Sequence, residues 1–322
     1  MRALLLTGGG LISAKIIDAW IADGNSVAAI WIGSLSPRLF LARDRALGSF
    51  APSWSISALA QRYRIPVQSN PKLAVWVEAA NSIRQLNADL LITSLSYEII
   101  PEAILRQFLG RAVNFHPAVL PHYRGPNPRS GMILDRTAEL HGGVTLHCLS
   151  PEIDKGEVIG FRKVAYEPNR GFIEWNVRQA LAAGDLVHTE LSSYLAAALS
   201  PRPRVADSGS YRKVDPSELV LSDRHSASRT KWLCDELGSS GWIRFRRSEG
   251  EKAFIIDRFI RKTGPRTFKP EKIGKFAIEF DAADARVRVG RRGDWRRLLK
   301  TLAYLVAIAR TRNWAPKNMN TH

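Results

Sequence analysis

The chain of 322 residues is 45% apolar and long enough for two packed domains. Its two cysteines are too few for a disulfide-bonded scaffold. It has no apolar run of about 18 residues, which excludes a membrane-spanning helix. The formal charge of +17 is uneven: residues 1–200 hold 19 Lys+Arg and 16 Asp+Glu, a net of +3, whereas residues 201–322 hold 28 and 14, a net of +14. We therefore expect a reduced, cytoplasmic protein whose basic second half attracts a polyanion such as RNA or an anionic membrane, although the same charge could serve solubility alone.

The first 33 residues predict the opening of a parallel sheet. The apolar run Arg2–Thr7 ends at three glycines, Ile12–Ala22 has helical periodicity, and Val27–Ile32 is a second apolar run. A glycine turn between a strand and a helix suits an anion at the helix N-terminus. Ser13 breaks the G-x-G-x-x-G dinucleotide pattern, so a tight turn without a ligand explains the glycines equally well.

The alternation of strands and helices continues to about residue 200. This pattern predicts an α/β fold with a doubly wound, mostly parallel sheet of the Rossmann type, and we assign residues 1–200 to this domain. The further predicted strands are Ile65–Val67, Leu90–Ser94, Ala112–Phe115, Gly143–Cys148 and Val158–Val164. The further predicted helices are Ser55–Tyr63, Leu73–Leu86, Pro101–Phe108 and Phe172–Leu199.

A linker and a basic second domain are predicted after residue 200. Pro201 and Pro203 stop the preceding helix and stiffen the connection, so we assign residues 201–210 to the linker and residues 211–322 to the basic domain. A helix over Ser226–Leu237, capped near Ser222 or Asp223, is followed by short strand patterns that indicate a small β-barrel or sandwich. These strands are predicted at Trp242–Phe245, Ala253–Ile260, Lys275–Phe280 and Ala285–Val289.

The last predicted element is an amphipathic helix over Asp294–Thr311. Basic side chains cluster at its start, and it either docks on the β-rich domain or lies on an anionic membrane. Its apolar stripe consists of Trp295, Leu298, Leu299, Leu302, Leu305, Val306 and Ala309.

Polar residues gather at the ends of two predicted strands. Asn114 and His116 are two residues apart, so both side chains project from the same face of their strand, and Pro117 ends that strand. Asp154 stands on a loop after the strand Gly143–Cys148. Ligands of open α/β sheets bind beyond the carboxyl ends of the strands, so these three side chains could form one polar cluster.

Each of these residues also has an ordinary structural interpretation. A single histidine on a strand is more often a structural hydrogen-bonding group, an asparagine before a His-Pro turn often serves the turn, and an Asp-Lys-Gly segment is usually an exposed loop. No Cys or His pairs stand at zinc spacing, so we expect no metal site. The joint spacing favours a functional interpretation over these separate ones.

Several short motifs stand together in the middle of the chain. They are Asn114-Phe115-His116-Pro117, Leu120-Pro121, Tyr123-Arg124-Gly125, Gly143-Val144-Thr145 with His147, and Asp154-Lys155-Gly156. Together they resemble the folate-dependent formyltransferases, which include glycinamide ribonucleotide, methionyl-tRNA and nucleotide-sugar N-formyltransferases. The resemblance covers residues 1–200 in layout and is strongest over residues 88–160.

The resemblance implies transfer of a one-carbon formyl group from 10-formyltetrahydrofolate to an amine. Attack on the formyl carbon gives an oxyanion, which donors must stabilise, and the resemblance assigns this role to Asn114 and His116. It also implies that Asp154 holds His116 in its charged form, because a neighbouring carboxylate raises the pKa of an imidazole, and that a bound water helps to move the proton.

The resemblance also implies two binding regions. Folate contacts fall on Leu95, Tyr97, Ile99, Leu149 and Ile153, although Leu95, Ile99 and Ile153 could instead be core residues. Acceptor contacts fall on Gly9, Gly10, Arg124 and His147, and His147 could equally be a positioning or core histidine.

The acceptor is left open. Residues 205–290 weakly resemble the small β-barrel of methionyl-tRNA formyltransferases, an OB-like domain, but the first strand lacks their F-x-G-T-P start and Pro126–Arg129 replaces their Ala-Ala-Pro. We therefore predict a small-molecule or sugar-linked amine, with methionyl-tRNA as the alternative. A formyl-folate hydrolase and a catalytically silent RNA- or membrane-binding protein also stay open, and the oligomeric state is not predicted.

Overall fold

The computed structural model describes residues 1–33, 44–70, 72–96, 98–108, 110–197, 205–247, 251, 253–293 and 295–316. It divides into two compact units. Unit 1 consists of Met1–Ala165, Trp175–Lys213 and the described residues from Leu305 on, and unit 2 consists of Tyr166–Glu174 and Val214–Tyr304. The predicted residues 201–204 of the linker lie outside the described residues.

Unit 1 is built on a seven-stranded sheet. The order of its strands is β3-β2-β1-β4-β5-β6-β7; the first five are parallel to one another, and β6 pairs antiparallel with both β5 and β7. The prediction of a mostly parallel α/β sheet is therefore confirmed. The strands are β1 (Arg2–Thr7), β2 (Ser26–Gly33), β3 (Val67–Asn70), β4 (Leu90–Ser94), β5 (Ala112–His116), β6 (Gly143–Cys148) and β7 (Val158–Lys163).

Among the described residues, eight α-helices with defined bounds lie in unit 1 or lead into it. They are α1 (Leu11–Ala22), α2 (Ile56–Tyr63), α3 (Ala79–Gln85), α4 (Glu102–Phe108), α5 (Pro128–Leu134), α6 (Ala138–His141), α7 (Gly171–Leu186) and α8 (Ser192–Ala196). Residues 44–48 are also helical. Leu73–Val75 forms only a 3₁₀ turn, so the helix predicted over Leu73–Leu86 is shorter than expected, and α5 and α6 were not predicted.

The core of unit 1 lies on both faces of this sheet. Strand β4 is buried at every position, as expected of a central strand covered on both sides. One cluster joins Leu4, Trp31 and Leu91 from neighbouring strands to Ile83 and Phe108 from helices. The central strands are apolar in their middle, and the polar residues at the carboxyl end of β4, Thr93 and Ser94, lie at the edge of the sheet that carries the candidate site.

The long helix predicted over residues 172–199 is interrupted by a π-helical turn, Val187–Leu191. The turn lies beside Arg162, a buried arginine on β7 whose guanidinium contacts Asp185 at 2.6 Å, Thr189 at 2.7 Å and Glu190 at 3.2 Å. A π-turn presents residues five apart on the same side, so three helical side chains reach one cation. The buried charge of Arg162 is thereby paired with two carboxylates beside the interruption.

Unit 2 contains a six-stranded sheet and a helix. The sheet order is β11-β12-β13-β10-β9-β8, antiparallel except between β8 and β9. Its strands are β8 (Val220–Leu221), β9 (Arg244–Phe245), β10 (Phe254–Gly264), β11 (Lys272–Ile273), β12 (Ala277–Asp281) and β13 (Arg286–Arg291).

Helix α9 (Ala227–Leu237) of unit 2 is capped by a residue later in the chain than predicted. Ser226 caps it, because the Ser226 hydroxyl accepts a hydrogen bond from the Arg229 amide at 3.1 Å. The prediction of a cap near Ser222 or Asp223 is wrong: the Ser222 hydroxyl instead accepts from the Arg224 amide in the preceding turn.

The last helix is α10 (Trp295–Arg310), whose residues belong to unit 2 up to Tyr304 and to unit 1 from Leu305. Among the described residues, no helix combines the length and the apolar character needed to cross a membrane.

Candidate active site

Three adjacent strands place a row of hydrogen-bonding side chains across the sheet. In the strand register Thr93 on β4 pairs with Asn114 on β5, and Asn114 pairs with His147 on β6. The Thr93 hydroxyl donates to Asn114 Oδ1 at 2.9 Å, and Asn114 Nδ2 lies 3.1 Å from His147 Nε2. Because Oδ1 already accepts from Thr93, the Asn114 amide is oriented with its N–H groups toward His147.

The tautomer of His147 follows from its second nitrogen. Nδ1 of His147 lies 2.9 Å from the carbonyl oxygen of Cys148, which can only accept, so Nδ1 carries the hydrogen. Nε2 then accepts from Asn114. The Asn114 amide is therefore fixed from both sides, by a donor on β4 and an acceptor on β6.

His116 ends β5 and is buried. Its Nε2 lies 2.9 Å from the carbonyl oxygen of Tyr123, so Nε2 carries a hydrogen and donates it. Its Nδ1 lies 3.5 Å from Asp154 Oδ2. In the neutral imidazole, Nδ1 carries no hydrogen, and its lone pair faces Asp154.

Asp154 joins these groups from the loop after β6. Its backbone is left-handed, with φ of 52°. Its Oδ2 accepts from the Gly125 amide at 2.8 Å, and its Oδ1 lies 3.4 Å from Asn114 Nδ2 and 3.6 Å from His147 Nε2. One carboxylate thus contacts two strands and the Tyr123-Arg124-Gly125 loop.

Two glycines of the motifs have a steric role. Gly125 has φ of 105°, and a β-carbon there would lie 2.9 Å from the Tyr211 ring. At Gly156 a β-carbon would lie 1.8 Å from the carbonyl oxygen of Cys148. Neither position has room for a β-carbon. Glycine therefore allows the loops that contain Gly125 and Gly156 to pack closely around Asp154.

Burial and Asp154 act in opposite directions on the pKa of His116. Desolvation lowers that pKa below its ordinary 6.5 and outweighs the nearby Asp154, which raises it. This direction favours a neutral imidazole and does not support the prediction that Asp154 holds His116 in its charged form, which stays a prediction. For Asp154, burial raises the pKa, but His116, His147 and the Gly125 amide together lower it below the usual range, which favours a carboxylate.

Of the predicted folate contacts, two are exposed apolar side chains. Ile99 is 66% exposed on the loop after β4, and Ile153 is 48% exposed on the loop after β6, so neither is a core residue. Leu95 is half-buried with φ of 51°, and Leu149 packs against the core cluster. Tyr97 lies outside the described residues.

The predicted acceptor contacts fall in three places. Gly9 and Gly10 form the turn after β1, where the Gly9 amide donates to the Thr7 hydroxyl at 2.8 Å and a β-carbon on Gly10 would lie 3.5 Å from Leu95. Arg124 is buried, and its Nε has no hydrogen-bond partner among the described residues. His147 is buried under Asn114 and Asp154, which favours its positioning interpretation.

Sequence reasoning did not identify Thr93 or the Tyr123 carbonyl. The signal for Thr93 was its place on the strand before the asparagine strand, where a parallel neighbour can reach Asn114. The Tyr123 carbonyl has no such signal, because a backbone group is specified by loop conformation. That loop is held by residues far along the chain: the Ser210 hydroxyl accepts from the Tyr123 amide at 3.0 Å.

The chain matches a family model and is similar to known proteins. The family model described as formyl transferase matches residues 1–171. A methionyl-tRNA formyltransferase of Bdellovibrio bacteriovorus is 27% identical over 191 residues, which cover 59% of this chain and 56% of the relative. The chain therefore spans little more than half the length of this relative.

Two solved structures share the fold. A sugar N-formyltransferase of a Shewanella species aligns with a TM-score of 0.57 at 16% identity, over 85% of this chain and 99% of that one. HypX from Aquifex aeolicus, in complex with tetrahydrofolic acid, aligns with a TM-score of 0.58 at 14% identity, over 94% of this chain and 47% of that one. Since the family model covers more than half of the chain and its motif residues meet in one site, the chain belongs to the formyl transferase family.

Proposed function

We propose that this protein transfers a formyl group from 10-formyltetrahydrofolate to a primary amine of a small or sugar-linked acceptor. The observation that carries the proposal is the meeting of Asn114, His116 and Asp154 at the carboxyl end of β5, with contacts of 3.4–3.5 Å to the same carboxylate. Isolated structural roles would not require these three side chains to converge.

Asn114 is the proposed oxyanion donor. Its Nδ2 has two hydrogens, of which one is directed to His147 at 3.1 Å and the other makes the longer contact to Asp154 at 3.4 Å. The longer contact is the weaker one, so that hydrogen is the one available to the oxygen of the formyl group as negative charge develops. Thr93 keeps the amide in this orientation.

His116 is the proposed proton acceptor. Its Nε2 hydrogen is engaged by Tyr123, so a proton lost by the attacking amine goes to Nδ1. The imidazolium formed in this way lies 3.5 Å from the Asp154 carboxylate, which stabilises it. The lowered pKa of His116 keeps the base unprotonated before the amine attacks.

The folate donor is proposed to lie between the loops after β4 and β6. Ile99 and Ile153 expose apolar surface on these two loops, which suits the flat face of a pterin ring. The donor would place its formyl carbon beside Asn114, His116 and Asp154. The acceptor nitrogen would bond to that carbon, the bond to the folate nitrogen would break, and the proton taken up by His116 would pass to the released nitrogen. HypX, which is named as a tetrahydrofolate complex, shares the fold.

Methionyl-tRNA is the second candidate acceptor. The curated relative named above is a methionyl-tRNA formyltransferase, and residues 201–322 carry a net charge of +14, which suits a polyanion. The near-complete coverage of the sugar N-formyltransferase favours the smaller acceptor. An OB-like second domain, the division at residues 201–210 and a cytoplasmic location remain predictions.

The test begins with folate binding. The purified protein is titrated with a non-reactive 10-formyltetrahydrofolate analogue, and then supplied with radiolabelled formyl donor and either nucleotide-linked amino sugars or charged initiator tRNA. We expect saturable analogue binding and label on an amino sugar. Label on tRNA, with binding that weakens steeply as salt rises, would support the second candidate. An absence of analogue binding would contradict the proposal.

A further inference from the structure

One face of α10 exposes a row of large apolar side chains. Leu299 is 48% exposed, Leu302 is 55% exposed and Val306 is 42% exposed. They stand at positions i, i+3 and i+7, which places them on one side of a helix. The exposed face of a surface helix is usually polar, so an aligned apolar row indicates a surface that contacts an apolar partner.

The other face of the helix is already buried. Thr301, Tyr304 and Ala307 are each about 95% buried. The stripe is therefore not the surface through which the helix packs in its own chain. Leu299, Leu302 and Val306 leave about half of their surface open to contact a partner.

The charge around the stripe identifies the kind of partner. Residues 295–322 hold six Lys or Arg and no Asp or Glu. Arg310 and Arg312, which follow the stripe, are exposed. A surface that pairs with this helix must be both apolar and negatively charged. A second copy of the helix would bring like charges together, and a nucleic-acid backbone would leave the apolar stripe unpaired.

We propose that α10 binds the surface of an anionic lipid bilayer. Leu299, Leu302 and Val306 enter the boundary between headgroups and acyl chains, and Arg310 and Arg312 contact lipid phosphates. The helix lies in the membrane plane and does not cross the bilayer. This surface is separate from the Asn114 site, and the proposal does not depend on the acceptor.

Vesicle co-sedimentation tests the proposal with the full chain. Vesicles of phosphatidylcholine alone are compared with vesicles in which phosphatidylglycerol replaces about a third of the lipid. We expect binding to the anionic vesicles at least tenfold tighter than to the neutral ones. The double variant Leu302→Gln/Val306→Gln, which changes no charge, should lose most of this binding because the apolar contact is removed.

A matched control distinguishes binding through the stripe from nonspecific binding by any exposed apolar side chain. The double variant Leu140→Gln/Val77→Gln also replaces an exposed leucine and an exposed valine, far from α10 in sequence, and should bind as the unaltered protein does. Equal binding by both double variants would overturn the proposal and leave only attraction by the overall positive charge.

Two other outcomes would also overturn it. If the unaltered protein is a dimer by sedimentation velocity and Leu302→Gln/Val306→Gln is a monomer, the stripe is an interface between copies. If a nuclease-sensitive RNA binds the protein and the same variant abolishes that binding, the partner is RNA. Circular dichroism of each variant verifies that the fold is retained, as expected for substitutions of exposed residues.

Discussion

Polar side chains serve different purposes in the two halves of the sequence. Around β5 they are buried and partnered: the amide of Asn114 contacts Thr93, His147 and Asp154. On β10 of unit 2, Arg261 and Lys262 are exposed. A buried polar group must have a specific partner, whereas an exposed charge needs only a field of the right sign. The partnered side chains around β5 can therefore position reacting groups, whereas exposed charges such as those on β10 can select only a class of partner.

The largest effect is expected from removing the base of the buried network. His116→Ala should lower kcat by about 10³-fold or more, because general-base catalysis of this kind contributes 10²–10⁴ in rate. Binding of the folate analogue should stay within about tenfold of normal. The control is His188→Ala, which removes an exposed histidine whose partner is Asp23. Near-normal turnover by His116→Ala would refute the assignment.

The pH dependence distinguishes a neutral from a charged His116. Burial lowers the pKa of His116 below 6.5, so the base stays neutral at pH 7 and kcat/KM should begin to fall only below pH 6.5. The decrease should approach tenfold per pH unit, and Asp154, with its lowered pKa, remains ionised over this range. A loss of activity on raising the pH through 7 would show that the charged imidazole is the active form.

The same pKa shifts have a consequence for stability. A histidine with a lowered pKa in the folded state binds a proton more readily when unfolded, so the free energy of unfolding should decrease as the pH falls below 6.5. The lowered pKa of Asp154 adds a stabilising contribution that is present above about pH 4 and is lost on further acidification. Urea titrations of the unaltered protein and His116→Ala measure the difference.

A smaller effect is expected from substitution of Thr93, whose hydroxyl orients the Asn114 amide. Thr93→Val keeps the shape of the side chain but removes the hydroxyl that donates to Asn114, and kcat should fall about tenfold, equivalent to one hydrogen bond. Thr93→Ser keeps the hydroxyl and should retain most of the activity. If Thr93→Val and Thr93→Ser behave alike, the hydroxyl does not orient Asn114.

The smallest effect on catalysis is expected from substitution of an exposed residue on α10. Leu302→Gln, on the stripe of α10, should change kcat and KM for formyl transfer to a small acceptor by less than about twofold, because Leu302 is exposed and the substitution alters no charge. A large loss of kcat would show that α10 and the buried network around β5 are coupled in catalysis.

The sequence predicts the fold of the first half well because its strands are strongly patterned. The continuous apolar runs at Arg2–Thr7 and Leu90–Ser94 are long enough to specify buried strands, and both were predicted with their observed bounds. The polar cluster was also predictable, since N-x-H-P and D-x-G place Asn114, His116 and Asp154 at strand ends. In each case the local sequence contains the whole signal.

The missing parts depend on contacts between distant segments. The π-turn at Val187–Leu191 contacts Arg162, which lies on another element, so the local helical pattern does not contain its signal. The lowered pKa of His116 could not be inferred from its spacing to Asp154, because the burial that lowers it is a property of the packed structure. The same is true of Thr93, whose importance arises from the register between β4 and β5.

The most direct test of the central claim is single-turnover formyl transfer from radiolabelled 10-formyltetrahydrofolate to an amino-sugar acceptor, measured for the unaltered protein and for His116→Ala at matched folate saturation. We predict rapid transfer by the unaltered protein and a loss of about 10³-fold or more in the variant, with the folate analogue still bound. Equal rates for the two proteins, or folate binding by neither of them, would contradict the account.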